Sequence, residues 1–231
     1  YNAIVWQDRR TEDICENLRG KNLTEKVQKK TGLIIDPYFS GTKIKWIIDN
    51  VNEANKIISN NNLLVGTIDS WLIWNFTKGD CHLTDATNAS RTMLYNINED
   101  QWDSELLELL NIPYEMLPEV KNSTGNFGVI NKELFGSEIP IEGVAGDQQA
   151  ASFGQLCFEK GMIKSTYGTG CFMLMNTGDE MMLSKSNLLS TTAYKTSSER
   201  KFALEGSIFN AGTVVQWMRD ELNLINDSSE V

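Results

Sequence analysis

One histidine, His82, stands in 231 residues, and that scarcity removes more chemistry than any motif adds. Serine–histidine and cysteine–histidine nucleophilic pairs need an imidazole at the nucleophile. His82 lies between Cys81 and a Leu83-Thr84-Asp85 turn and reads as a surface or hairpin residue. Acid–base work therefore falls to carboxylates. Basic side chains are also scarce: 21 Lys and Arg against 31 Asp and Glu give a net charge of −10 and a pI near 4.7. A phosphate-backbone binder needs clustered cations, so no nucleic-acid partner is expected. Long apolar runs are absent. The longest, Cys171-Phe172-Met173-Leu174-Met175, is far below the about 20 residues that cross a bilayer, which argues against an integral membrane segment. Four cysteines without a C-x-x-C pair read as free thiols of a reducing, cytoplasmic compartment, and no four-ligand zinc set can be assembled around one histidine. The chain opens at Tyr1 without a methionine, a charged leader or an apolar h-region, and so reads as an internal piece with no secretory signal.

What is present is ordinary globular composition, 41% hydrophobic and 23% charged, enough for one or two domains at roughly 150 residues each. Thr11 and Thr24 are placed to cap two short helices, the second ending at Gly32. Ile44, Ile47, Ile48 and Val51 recur at helical spacing, which puts Lys43 and Asp49 outward. Leu63 to Val65 reads as a strand, Asp69 or Ser70 as the cap of a helix through Trp74, and Ser104 as the cap of another. Asn60-Asn61-Asn62 reads as a surface turn. In the second half, Ile139 to Ala145 is extended, Gly146-Asp147 breaks it, and Gln148 to Phe158 resumes with helical spacing. Met162 to Tyr167 and Cys171 to Met175 form a hairpin about Gly168-Thr169-Gly170. A last strand, Phe202 to Leu204, turns through Glu205-Gly206 into a helix with Val214, Val215, Trp217 and Met218.

Four places could carry chemistry. Asp147, behind a glycine and ahead of a helix, lies where open α/β sheets place ligands, although an aspartate there is also an ordinary N-cap. Gly168-Thr169-Gly170 could offer backbone N–H groups and a hydroxyl to a terminal phosphate, although any tight hairpin wants such residues. It is neither a Walker loop nor a G-x-G-x-x-G fingerprint. Gly212 and Gln216 on the last helix are weaker, since close packing of strand and helix would by itself call for Gly212. Trp6 and Tyr38 could wall a small polar ligand or belong to the core.

Taken together, these pieces resemble one family. Tyr38-Phe39-Ser40-Gly41-Thr42-Lys43-Ile44-Lys45-Trp46-Ile47-Ile48-Asp49-Asn50 resembles the first signature of the FGGY carbohydrate kinases. Ala3 to Gln7, Thr87 to Thr92, Ala145 to Ala151 and Thr166 to Leu174 are similar to the members that phosphorylate glycerol, and the likeness covers essentially the whole chain in order. It implies an α/β fold of the actin-like ATPase (ribonuclease H-like) kind, two-lobed and only partly present. Residues 1–156 would be most of the polyol-binding lobe and 157–231 the start of the nucleotide-binding lobe. The same resemblance implies ATP and Mg2+ as cofactors, glycerol as substrate, and a homodimer or homotetramer. Asp147 would be the base, with a second link to the magnesium ion. Gln148 and Tyr38 would hold glycerol hydroxyls, and Trp6 and Phe172 would pack on its carbons. Gly168 and Thr169 would meet the terminal phosphates, with Gly212 and Gln216 further along the nucleotide. The family's arginine–glutamate pair for glycerol and its first phosphate loop would lie before Tyr1, so the isolated 231 residues are expected to be inactive. Two rivals stand beside this reading: an FGGY kinase for a longer polyol or sugar, and a non-catalytic fragment or interaction domain.

Overall fold

The computed structural model describes residues 1–58 and 62–231. Asn60 and Asn61 of the expected surface turn lie outside the described residues. The chain begins with α1 (Glu12–Gly20), α2 (Thr24–Thr31), α3 (Ser40–Asn50), α4 (Asn52–Ile58) and α5 (Ile68–Phe76). Strand β1 (Leu83–Asp85) runs into the short α6 (Ala86–Ala89), and a small hairpin of β2 (Tyr95–Asn96) and β3 (Gln101–Trp102) leads to α7 (Ser104–Leu110). Strand β4 (Glu119–Lys121) returns parallel to β1, and β5 (Val129–Ile130) and β6 (Ile139–Pro140) pair around α8 (Lys132–Phe135). After α9 (Asp147–Gly154) come β7 (Ile163–Tyr167), β8 (Cys171–Gly178), β9 (Leu189–Lys195) and β10 (Arg200–Ile208), an antiparallel sheet in the order β7-β8-β10-β9. Helix α10 (Gly212–Asp220) follows.

The two halves share a core. Cys15, Leu18, Val27, Leu33, Phe39 and Leu110 pack in one buried cluster with Leu189 of β9 and Phe202 of β10. A smaller cluster of Leu174, Ala193, Tyr194 and Ala203 belongs to the sheet alone. Phe153 of α9 sits edge-on to Tyr194 at 5.4 Å, which fastens α9 to that sheet.

Several local expectations are corrected. Thr24 is the first residue of α2 behind Leu23, and Asp69 and Ser70 lie inside α5 behind Thr67. Asp103, not Ser104, caps α7, because its carboxylate reaches the Glu105 and Leu106 N–H groups at 3.1 Å each. Lys43 is buried, with its ammonium donating to the Val5 carbonyl at 2.6 Å, since the first residues of the chain lie across α3. Leu63 to Val65 is irregular, held at Val65 by its N–H to the Met116 carbonyl and by its own carbonyl to the His82 ring. Helix α9 ends at Gly154, four residues short of Phe158, and β10 runs on through Glu205-Gly206 because β8 continues to pair with it. Cys15 and Cys157 are buried and Cys81 and Cys171 half-buried, all as free thiols. His82 is half-buried, its Nε2 2.9 Å from the Val65 carbonyl.

Candidate functional site

Strand pairing gathers the chemistry onto one face of the sheet. Lys164 of β7 lies opposite Leu174 of β8, which lies opposite Glu205 of β10, and one step along Thr166, Phe172 and Ser207 align in the same way. Directly opposed residues share a face, and so do residues two apart on a strand. Lys164, Glu205, Phe172 and Ser207 therefore look the same way. Helix α9 lies against this face: the Lys164 ammonium donates to Gln148 Oε1, and Gln149 Nε2 donates to Thr191 Oγ1 at 3.3 Å.

Asp147 opens α9 as its first helical residue. The cap position is Gly146, with extended backbone (φ −60°, ψ 147°) and no side chain to offer, so the aspartate is not spent on capping. Its side chain is exposed, and Oδ1 accepts the Gln148 N–H at 2.8 Å. A carboxylate in the first turn is favoured by the free N–H groups there.

Beneath it lies a charged cluster that sequence reasoning missed. Lys164 is fully buried, and burial lowers its pKa from the usual 10.5, with Asp147 and Glu205 opposing the shift. Glu205, 1% exposed, accepts from Arg91 Nη2 at 2.8 Å and from Ser207 Oγ at 2.9 Å. Arg91 has a side chain 17% exposed. Burial works against its charge, and Glu205 and Tyr38 more than offset that, so its pKa is held above the ordinary value. Its guanidinium lies 5.7 Å from the centre of the Tyr38 ring and 5.6 Å from that of Phe39, within cation–π range. Arg91 Nη1 is buried without a hydrogen-bond partner among the described residues. Burial raises the pKa of the Tyr38 phenol, and Arg91 partly counters it. The signal available in the sequence was only that Lys164 and Glu205 interrupt apolar strands; nothing local tied Arg91 to a residue 114 positions away.

The rings expected to form a wall do meet. Trp6 lies 5.7 Å from Tyr38 and 6.2 Å from Phe172, both edge-on, and Phe209, unforeseen, closes the group at 5.3 Å from Trp6 and 5.4 Å from Tyr38. Trp6 remains 37% exposed, so the wall has an open side.

The Gly168-Thr169-Gly170 turn joins β7 to β8 as expected and is fastened to the start of α10. The Gly168 carbonyl accepts from the Gly212 N–H at 2.8 Å, and the Thr169 carbonyl accepts from Ala211 N–H at 2.8 Å and Thr213 Oγ1 at 3.3 Å. A Cβ on Gly212 would stand 2.6 Å from the Gly168 carbonyl oxygen, and one on Gly170 would stand 2.7 Å from that of Ile208, so close packing requires both glycines. Gly168 differs. A Cβ there would meet nothing nearer than 4.0 Å, and its backbone lies outside the left-handed region, so the fold itself does not call for glycine. Its N–H is donated within the turn, to the Gly170 carbonyl at 2.9 Å. Gln216, one turn into α10, is exposed. Among the described residues no three of His, Cys, Asp or Glu cluster as a metal cage. Magnesium needs no such cage: it keeps several waters and takes one or two carboxylates plus substrate phosphates, which the single exposed Asp147 suits.

Comparison with known proteins places this arrangement. Residues 1–154 match the model of the FGGY family of carbohydrate kinases, N-terminal domain, and residues 163–231 that of its C-terminal domain. Glycerol kinase 1 of Clostridium tetani is 60% identical over 230 residues, and glycerol kinase of Paraburkholderia xenovorans 57% over 231. Each alignment takes in all of this chain but 46% of the relative, so the chain spans about half the length of the curated relatives it matches. The crystal structure of Plasmodium falciparum glycerol kinase with ADP superposes at a TM-score of 0.93 with 44% identity, over all of this chain and 46% of that one. Ligand-bound xylulose kinase from Lactobacillus acidophilus, 23% identical, shares the fold at 0.84 over 99% of this chain and 46% of its own. No helix of the described residues is long and apolar enough to cross a membrane. The chain belongs to the FGGY family of carbohydrate kinases, and its α/β architecture is part of their actin-like ATPase fold.

Proposed function

We propose that the native protein phosphorylates glycerol with ATP, giving sn-glycerol 3-phosphate and ADP. The observation that carries this reading is the convergence of an exposed helix-opening carboxylate, Asp147, with a four-ring wall on one sheet face. Similarity along the whole of this chain, though only 46% of theirs, to proteins named glycerol kinase supports glycerol as the substrate. In the reaction a glycerol hydroxyl oxygen bonds to the γ-phosphorus, the bond from that phosphorus to the bridging oxygen breaks, and ADP leaves with that electron pair. Asp147 takes the hydroxyl proton. Because the transferring group passes through a loose transition state, positioning outweighs base strength, and a carboxylate of ordinary basicity is adequate. Gln148 and Tyr38 hold glycerol hydroxyls. Trp6 and Phe172 cover its carbon chain and reject bulkier polyols by shape. The open Cα face of Gly168 gives the terminal phosphates room to approach, Thr169 adds a hydroxyl, and Gly212 and Gln216 line the nucleotide beyond. Mg2+, when bound, neutralises phosphate charge, with Asp147 as this chain's candidate link to it.

In this reading residues 1–156 belong to the polyol-binding lobe and 157–231 to the nucleotide-binding lobe, in a cytoplasmic homodimer or homotetramer. The Asp147→Asn variant of the native protein is the test. Formation of glycerol 3-phosphate should fall by about 100-fold to 10,000-fold, to a residual rate, while glycerol binding, followed by calorimetry, is largely retained; near-normal kcat would remove Asp147 as the base.

A further inference from the structure

The Gly146–Asp147 peptide is held by a second, wholly buried structure that the catalytic reading does not use. Asp85 ends β1 and caps α6, and its fully buried carboxylate accepts five hydrogen bonds. The donors are the N–H groups of Thr87 and Asn88 at 3.0 Å each, Thr87 Oγ1 at 2.8 to 2.9 Å, Asn88 Nδ2 at 2.8 Å and Ser123 Oγ at 2.7 Å. Thr87, equally buried, has thus given its hydroxyl hydrogen to the carboxylate, and its oxygen is left as an acceptor turned toward α9. There it receives the Gly146 N–H at 2.8 Å. Three oxygens and one amide make a line from the body of the first half to the residue directly before Asp147.

Its polarity is fixed. The carboxylate has no hydrogen to give, so Thr87 must donate to it and accept from Gly146; the reverse arrangement is closed to it. A bond whose acceptor hydroxyl is itself bonded to a carboxylate is strengthened by that partner. Gln148 and Gln149 tie the first turn of α9 to the sheet, whereas Gly146 offers no side chain and Asp147 is exposed. The Gly146 N–H to Thr87 bond is therefore what joins the entry of the helix to α6.

We propose that Thr87, polarised by Asp85, is a positioning residue that sets the entry of α9 and thereby aims the Asp147 carboxylate at the attacking hydroxyl. This rests on Asp147 being the base. Transfer geometry is unforgiving, and a displacement of about 1 Å can cost about 100-fold in rate.

The experiment compares Thr87→Val, Thr87→Ser and Asp147→Asn, and the Thr87→Val, Asp147→Asn double variant, in the native protein. Valine keeps the shape and deletes the acceptor; serine restores it. Thr87→Val should lower kcat by between about tenfold and about 100-fold, with the KM for glycerol little changed. Thr87→Ser should recover most of the rate even where its melting temperature equals that of the valine variant. In the Asp147→Asn background Thr87→Val should add nothing to the residual rate, because it acts through a carboxylate no longer there. The positioning role is overturned if Thr87→Val turns over normally, if serine is as slow as valine, or if the valine factor persists in full in the double variant. Normal turnover by Asp147→Asn alone would instead remove the base assignment, a result visible separately from all three.

Discussion

Glu205→Gln tests whether the cluster beneath the site is held by buried charge. Two ion pairs in the chain have nearly equal lengths: Arg91–Glu205 at 2.8 Å and Lys29–Glu25 at 2.6 Å. Their surroundings differ, because the side chains of the first pair are 17% and 1% exposed and those of the second 63% and 78%. Distance alone would rank them together; burial separates them. Glutamine is close in shape to Glu205 and can still accept from Ser207, yet it leaves Arg91 as a desolvated cation without its counter-charge. Arg91 already carries an Nη1 without a hydrogen-bond partner among the described residues, and the Tyr38 and Phe39 rings beside it bring no formal charge to replace the carboxylate. Removing one partner of a buried pair costs about 3 to 5 kcal/mol, and that is the loss expected from urea unfolding followed by tryptophan fluorescence. Glu25→Gln should leave stability unchanged within error, since water already screens that pair. High salt should not rescue Glu205→Gln. A loss no larger than that of Glu25→Gln would refute the claim that the cluster is closed to solvent.

Other outcomes follow from the same geometry. Phe172→Ala and Trp6→Ala should relax selectivity, lowering the ratio of kcat/KM for glycerol over a five-carbon polyol by tenfold or more, as loss of about 1 to 3 kcal/mol of shape discrimination implies. Gly168→Ala should leave the melting temperature unchanged while raising the KM for ATP, whereas Gly212→Ala should destabilise, because its Cβ would be driven into the Gly168 carbonyl. Lys164→Met should stabilise the protein at neutral pH. The folded-state pKa of Lys164 lies below the unfolded 10.5, so the buried ammonium carries a penalty at neutral pH that fades as pH rises from the folded pKa toward 10.5. The stability gap between Lys164→Met and wild type should therefore narrow with rising pH in parallel urea titrations, and a widening gap would contradict the assignment.

Features that the sequence made legible are those encoded by neighbours. The α3 stripe, the hairpin of β7 and β8 about Gly168-Thr169-Gly170, and the break at Gly146 depend on spacing and turn chemistry within a few residues. Strand β9 escaped because Ser190, Thr191 and Thr192 look solvent-facing, yet all three are buried; Thr191 is satisfied by Ser90 at 2.8 Å and by Gln149, partners supplied by α6 and α9. The cap of α7 was misplaced by one because Asp103 and Ser104 are both competent, and only the extended backbone at Asp103 decides between them. Within the site, the aromatic residues and Asp147 were visible as types in suggestive contexts. Arg91, Lys164 and Glu205 were not, because a buried charge is recognisable only by its partner, and these partners meet through tertiary structure.

That cluster also changes what the chain's acidity means at the site. Arg91 and Lys164 match Glu205 and Asp147 one for one, so a local region without net charge exists inside a chain of net charge −10. The match is directional as well as numerical. Glu205, on the central strand β10, pairs with Arg91, and Lys164 feels both carboxylates while bonding to neither among the described residues, one of its N–H groups going to Gln148 instead. With its oxygen held by that ammonium, the Gln148 amide can turn its N–H groups toward a substrate. Under the proposed function an exposed carboxylate and a neighbouring amide donor suit opposite ends of a hydroxyl: Asp147 would accept its hydrogen, and Gln148 would donate to an oxygen. In that reading, recognition of an uncharged polyol by such a pairing would not depend on attraction of net charge, and the nucleotide's charge would be left to backbone N–H groups and a metal ion.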